Sequence, residues 1–159
     1  MHILMTGGTG LIGTATCAAL YAAGHKLTIL TRRGRPATDN VTYVTALEDC
    51  VEPVDAVINL AGAGLADRRW SEAYKRQIVS SRVDLTRDLV AWLGELEHTP
   101  KRLISASAIG YYGAADERTF AEDGLPGAGF AAALCQSWEN EAGRATEYGT
   151  QVSLLRFGV

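Results

Sequence analysis

The chain has 159 residues, 47% hydrophobic and 21% charged, which is one domain's worth of an ordinary globular protein with enough apolar material for a sizeable core. Its formal net charge of −3 gives no electrostatic footing for nucleic acid or an anionic membrane, and no apolar run approaches the roughly 20 residues that span a bilayer. Cys17, Cys50 and Cys135 are widely spaced and His2, His25 and His98 are scattered, so neither disulfides nor a metal cluster is expected, and the thiols fit a reducing cytoplasm.

A short apolar run, His2 to Met5, opens the chain as a strand. It leads into Thr6-Gly7-Gly8-Thr9-Gly10-Leu11-Ile12-Gly13 and then a small-residue helix reaching about Ala23, with Gly24 as its cap. The apolar segment is broken by glycines and has no basic leader, unlike a signal peptide. Gly8, Gly10 and Gly13 satisfy G-x-G-x-x-G, and Gly7, Gly10 and Gly13 also give G-x-x-G-x-x-G. Glycines at such spacings allow a tight turn, a close backbone approach to a pyrophosphate, and close helix–strand packing. The unpaired N–H groups of the helix's first turn then face an anion. Between a strand and a helix, this pattern predicts dinucleotide binding.

Leu27 to Thr31 reads as a second strand, ending in the basic turn Thr31-Arg32-Arg33-Gly34-Arg35-Pro36. In this fold the end of the second strand lies beside the adenosine ribose. An acid there binds the 2′-hydroxyl of NAD, whereas arginine accommodates the 2′-phosphate of NADP. No Asp or Glu follows until Asp39, so the pattern favours NADP over NAD. Val41 to Val44 is a weak third strand. Asp55 to Ala61 is the continuous apolar run of a strand covered on both faces, and it leaves through Asn59-Leu60-Ala61-Gly62-Ala63-Gly64, a turn that faces the cofactor in such a sheet. Asn59 inside that run is not explained by a plain strand end.

A helical stretch follows from about Ser71, a suitable N-cap, to Leu96, with Ile78, Val79, Leu85, Leu89, Val90 and Leu93 as its apolar face. Arg82, near its middle, can reach inward to a phosphate or carboxylate. Arg102 to Ser107 is a fifth strand, continuing into Ala108-Ile109-Gly110-Tyr111-Tyr112-Gly113 and a long loop, Ala114 to Gly129, with acids at Asp116, Glu117, Glu122 and Asp123. Loops of that length are more often functional than idle. Phe130 to about Tyr148 reads as a helix stopped by Gly149, and Val152 to Val159 as a sixth strand. Strands and helices alternate throughout, which predicts an α/β fold: a Rossmann-type doubly wound parallel sheet with helices on both faces.

These segments together resemble the short-chain dehydrogenase/reductase superfamily in its extended, sugar-nucleotide epimerase-like branch. Thr6 to Gly13 is similar to that branch's opening motif and Asn59-Leu60-Ala61-Gly62 to its fourth-strand motif. Arg69-Trp70, Ser81-Arg82, Ser105 to Gly113 and Phe130-x-x-x-Leu134-Cys135-x-x-Trp138-Glu139 resemble, more narrowly, an atypical nucleoside-diphosphate-sugar epimerase-like subfamily, also labelled cell-division-inhibitor-like. The resemblance implies cofactor contacts at Gly7, Thr9, Gly10, Leu11, Ile12 and Gly13, and NADP contacts at Thr31, Arg32, Leu60, Ala61 and Arg82, with Val159 near the nicotinamide. It implies that Ser107 holds a substrate oxygen. It also implies that residues 1–159 are the dinucleotide-binding domain, and that the C-terminal substrate domain of extended-type relatives is absent from this chain.

One departure bears on chemistry. Active members of the superfamily follow that serine with Tyr-x-x-x-Lys, whose lysine, with the nicotinamide's charge, lowers the tyrosine's pKa for proton transfer. This sequence contains no Tyr-x-x-x-Lys and no lysine after Lys101, and the matching segment reads Phe130-Ala131-Ala132-Ala133-Leu134. The narrower subfamily shares the departure. Three functions remain open at this point: an NADP-dependent epimerase or oxidoreductase using Tyr111 or Tyr112 beside Ser107 on a small-molecule substrate, a non-catalytic NADP(H)-binding sensor, and a Rossmann-like domain that binds only a protein partner.

Overall fold

The computed structural model describes residues 1–114 and 119–158, so Asp116, Glu117 and Val159 lie outside the described residues. Six strands form one sheet: β1 (His2–Thr6), β2 (Lys26–Leu30), β3 (Val41–Val44), β4 (Ala56–Asn59), β5 (Arg102–Ala108) and β6 (Gln151–Phe157). All neighbours pair in parallel, in the order β3-β2-β1-β4-β5-β6. This is the doubly wound order, in which the chain starts mid-sheet, builds outward one way, then returns and builds the other. Registers bring Leu30, Thr6, Asn59, Ser105 and Leu154 into one row across the sheet, so the segments that leave β1, β2, β4 and β5 line one edge.

Alternation along the strands sorts the core into two layers. Ile3, Met5, Leu27, Ile29 and Ile58 pack against Cys17 and Leu20 of α1 (Leu11–Ala22) on one face. Leu4, Val57 and Leu103 turn to the other face, against Leu89, Val90 and Leu93 of α3 (Leu85–Glu95) and Ala142 of α4 (Phe130–Gly143). Leu4, Leu89, Leu93 and Leu103 are completely buried, each contributing roughly 1.5–3 kcal/mol of burial. β6 closes one edge and leaves Leu154 and Leu155 exposed. Among the described residues no helix is long and apolar enough to cross a membrane.

The elements fall where the sequence pattern expects them, with three differences. The predicted fourth strand stops at Asn59, because the backbone N–H groups of Leu60 and Ala61 turn back to β1, donating to Thr6 O (3.2 Å) and Thr6 Oγ1 (3.2 Å). The helix predicted over 71–96 starts as read, with Ser71 Oγ accepting from Tyr74 N, but it is interrupted. α2 (Glu72–Val79) passes into a π-helical turn over Ser80–Asp84 before α3. A π turn inserts an extra residue and widens the inward stripe, so Val83, Thr86 and Trp92 are buried while Val79 and Leu85 are only half-buried. The helix predicted over 130–148 tightens into a 3₁₀ turn, Arg144–Tyr148, before Gly149 stops it in the left-handed region.

Asn59 is wholly buried and supplies the polar centre of the second layer. Its Oδ1 accepts from Thr6 Oγ1 (2.6 Å), and its Nδ2 donates to Thr86 Oγ1 (2.8 Å) and Ser105 Oγ (3.2 Å). Thr86 Oγ1 also accepts from the Trp138 indole (2.9 Å). Every member is satisfied, which is the condition under which a buried polar network stabilises rather than costs. Replacing Asn59 by Leu strands the hydroxyls of Thr6 and Ser105, and urea denaturation is expected to show a loss of roughly 2–4 kcal/mol.

Candidate functional site

The turn after β1 is made by Gly7, whose φ of 69° lies in the left-handed region. A Cβ there would sit 2.5 Å from the carbonyl of Leu60, so the turn lies directly against the segment leaving β4. At Gly13 a Cβ would be 2.2 Å from Gly7 O, because the first turn of α1 is seated on the turn itself. Gly10 meets nothing but Gly7 O, at 3.3 Å, and faces outward. The spacing at work is therefore Gly7, Gly10 and Gly13, while Gly8 packs inward on Ile29 and Cys17.

Thr9, Gly10, Leu11 and Ile12 are exposed, Leu11 by 94%. α1 begins with no side-chain cap and no acid in its first turn. Its leading N–H groups thus have no intrahelical partner and carry the positive end of the helix dipole. An open glycine beneath uncapped amides fits a pyrophosphate, because Gly10 carries no Cβ and the first turn of α1 carries no acid.

Beside this turn, Leu60 and Ala61 are half-buried and Gly62 is exposed. The guanidinium of Arg82, from the π turn, lies on Gly62 so closely that a Cβ there would be 2.7 Å from its Cζ. Arg82 is only 9% exposed, with Nη2 donating to Ala63 O (2.9 Å) and Cζ 5.4 Å from the centroid of the Trp138 ring. Among the described residues no carboxylate pairs with it. Burial pulls its pKa below the usual arginine value, with the nearby Cys135 and Tyr74 acting weakly the other way. It stays a cation held by neutral acceptors.

Past β2, Thr31 is half-buried and accepts from Arg33 N at 3.4 Å, which tightens the basic turn. Arg32 and Arg33 are exposed and make no ion pair among the described residues, whereas Arg35 lies over the Tyr43 ring. The positive end of this site therefore comprises the α1 terminus, Arg32 and Arg82, along the segments leaving β1, β2 and β4.

At the end of β5 a second cluster forms. Ser107 is buried and its Oγ donates to Glu139 Oε1 of α4 at 2.6 Å. Glu139, also buried, receives a forked pair from Arg156 of β6, Nε to Oε1 and Nη2 to Oε2, both at 2.8 Å. Arg156 Nη1 donates to Tyr112 Oη (2.7 Å) and Glu122 O (2.8 Å), and its Cζ stands 3.6 Å from the Tyr111 ring centroid. The Glu139 carboxylate raises the Arg156 pKa above the usual arginine range, with burial opposing and Tyr112 assisting.

Ser107, Tyr111 and Tyr112, the three catalytic candidates, are thus brought together. Arg156 joins them without having been singled out from the sequence, and Glu139 after being named only as the end of a motif, with no role. The available signal was a charged residue inside the apolar run Val152 to Val159 and a glutamate one place after Trp138 on a helix.

The family model described as NAD dependent epimerase/dehydratase family matches residues 3–157. The chain is 37% identical over 167 residues to the epimerase family protein YfhF of Bacillus subtilis, covering 100% of this chain and 55% of that one. The crystal structure of human epimerase family protein SDR39U1 with NADPH superposes with a TM-score of 0.86 at 28% identity, covering 100% of this chain and 54% of that one. UDP-glucuronic acid 4-epimerase from Bacillus cereus, solved with UDP-glucuronic acid and NAD, shares the fold at a TM-score of 0.82 and 19% identity, with 98% and 56% covered. The chain spans about half the length of the relatives it matches.

Arg156→Met leaves the Glu139 carboxylate buried without its cation, and a loss of about 3 kcal/mol is expected by urea unfolding. Combining it with Glu139→Gln removes the orphaned charge and should recover part of that loss in the same assay.

Proposed function

The chain belongs to the NAD dependent epimerase/dehydratase family, and from that premise we propose that it binds NADP(H) across the segments leaving β2, β1 and β4. The observation that carries this reading is the uncapped first turn of α1 over an outward-facing Gly10, with no acid beside it. Gly7, Thr9, Gly10, Leu11, Ile12 and Gly13 hold the pyrophosphate, in this reading through backbone amides. Thr31 and Arg32 take the 2′-phosphate. Leu60 and Ala61 lie along the dinucleotide, and Arg82 supplies a fixed positive charge beside it. Val159, outside the described residues, is assigned near the nicotinamide by the resemblance alone.

The NADPH in the human relative's structure supports NADP(H) over NAD(H), as does the absence of any Asp or Glu between Thr31 and Asp39. Residues 1–159 serve as the dinucleotide-binding domain, paired in family members with a C-terminal substrate domain. Cys17, Cys50 and Cys135 are free thiols, which fits the cytoplasm.

A bound nicotinamide would supply hydride acceptance or donation for epimerase or oxidoreductase chemistry on a small molecule at the β5 end, beside Ser107, Tyr111 and Tyr112. A second reading, NADP(H) held without turnover in a sensor or regulatory role, is favoured by what stands where Tyr-x-x-x-Lys falls in active relatives. Phe130 packs edge-on against Trp70 at 5.4 Å, and Leu134 is in the core. Neither handles a proton.

Fluorescence titration with NADPH and NADH tests the binding. NADPH is expected to bind more tightly. Arg32→Ala is expected to weaken NADPH by roughly 1–3 kcal/mol, about 5- to 150-fold, and to leave NADH unchanged. Equal affinity for the two cofactors would remove the role given to Arg32, and binding of neither would reject the reading altogether.

A further inference from the structure

Three hydroxyl groups gather at the end of β5, and two of them are already engaged. Ser107 directs its one donor at Glu139. Tyr112 Oη donates to Ala121 O at 2.9 Å and accepts from Arg156 Nη1 at 2.7 Å, while its ring stacks on Phe120 at 4.7 Å. Both side chains are tied into the protein on their donor and acceptor sides or sealed from solvent, and Ser107 is only 3% exposed.

Tyr111 is different. Its ring is fixed on two sides, by the Arg156 guanidinium at 3.6 Å and by the Tyr112 ring, edge-on at 5.3 Å. Its own carbonyl accepts from Gly127 N at 2.9 Å, anchoring the backbone. The side chain is half-buried, yet its hydroxyl has no hydrogen-bond partner among the described residues. A phenol whose ring is immobilised and whose oxygen is left unpaired is preorganised for a partner that arrives from outside, since little rotamer freedom remains to be lost on binding.

The charge around it narrows what that partner is. Arg156 is matched by the forked Glu139 carboxylate, so among the described residues the cluster offers no unpaired cation to a phosphate or carboxylate, in contrast to Arg32 and Arg82. An uncharged oxygen suits it.

We propose that Tyr111 presents the hydroxyl that meets a ligand at this end of the sheet, bonding an uncharged carbonyl or hydroxyl oxygen, while Ser107 and Tyr112 serve to hold the cluster. The inference rests on the dinucleotide reading above, because the ligand at Tyr111 is the one placed alongside the cofactor.

Acetylation of the whole chain with N-acetylimidazole, mapped by peptide mass spectrometry, tests it without knowledge of the substrate. Tyr111 is expected to react about fivefold or more faster than Tyr112, equivalent to a difference of about 1 kcal/mol. Tyr112→Phe should lower the urea midpoint by roughly 0.5–1 M, as two lost hydrogen bonds require, whereas Tyr111→Phe should leave it in place.

Tyr112 reacting as fast as Tyr111 would overturn the proposal. So would a Tyr111→Phe midpoint that falls as far as that of Tyr112→Phe. Failure of the protein to bind any dinucleotide sinks the cofactor reading by itself. The selectivity for Tyr111 over Tyr112 and the two midpoints then decide this proposal alone.

Discussion

A single carboxamide sealed from water holds the working edge of this sheet in register. Asn59 spans β1, β4, β5 and α3 through three hydrogen bonds, and its partner Thr6 also receives the N–H of Ala61. Through that last bond the segment leaving β4 is drawn back over β1, where it meets the turn at Gly7. The tight approach that requires glycine at position 7 is therefore a consequence of the polar node beneath it. In a low-dielectric interior such a network is worth having only when complete, and here each hydroxyl and the amide has found a partner. Packing alone would leave the strands free to pair while letting the turns above them drift.

The node extends into α4 through two consecutive residues with different tasks. Trp138 donates its indole N–H to Thr86 and offers its ring face to Arg82. Glu139 binds Arg156 in a fork and accepts a hydrogen bond from Ser107. One helix thus supports two arginines in opposite electrostatic conditions. Arg82 is desolvated and faces carbonyl and hydroxyl oxygens only, so its charge remains available to an anion. Arg156 is neutralised where it stands. Of these two arginines the unpaired one accordingly lies on the side of the glycine turn and the neutralised one beside Tyr111, a division that their equal formal charge would not disclose.

Much of the fold was legible in the chain because the relevant signals are local. Continuous apolar runs such as Asp55 to Ala61, within which the strand Ala56–Asn59 forms, mark strands covered on both faces, and Ser71 and Gly149 mark helix ends. The glycine turn was legible for the same reason, although only the backbone angle of Gly7 decides which glycine bends the chain. What was hidden depends on pairs far apart in sequence. Asn59 stood out as an anomaly, but its partners come from β1, β5 and α3. Arg156 and Glu139 meet only because β6 lies beside β5 beneath α4. The π turn at Ser80–Asp84 was invisible for a different cause: the apolar spacing on either side still reads as one helix, while the inserted residue widens the buried stripe to take in both Arg82 and Val83.

The positions that match Tyr-x-x-x-Lys illustrate why substitution there is not a simple loss. Phe130 is half-buried against Trp70, with Lys75 over its other surroundings at 5.5 Å. Leu134 is 7% exposed and packs with Ile78, Val83 and Trp138. A lysine at 134 would have to bring an ammonium into that apolar cluster, a burial that costs several kcal/mol or removes its charge. The helix packs at these two positions, and its buried charge stands five residues past Leu134, at Glu139. Phe130 and Leu134 are thus held by packing, while the polar groups at the end of β5 are organised by the Glu139–Arg156 pair.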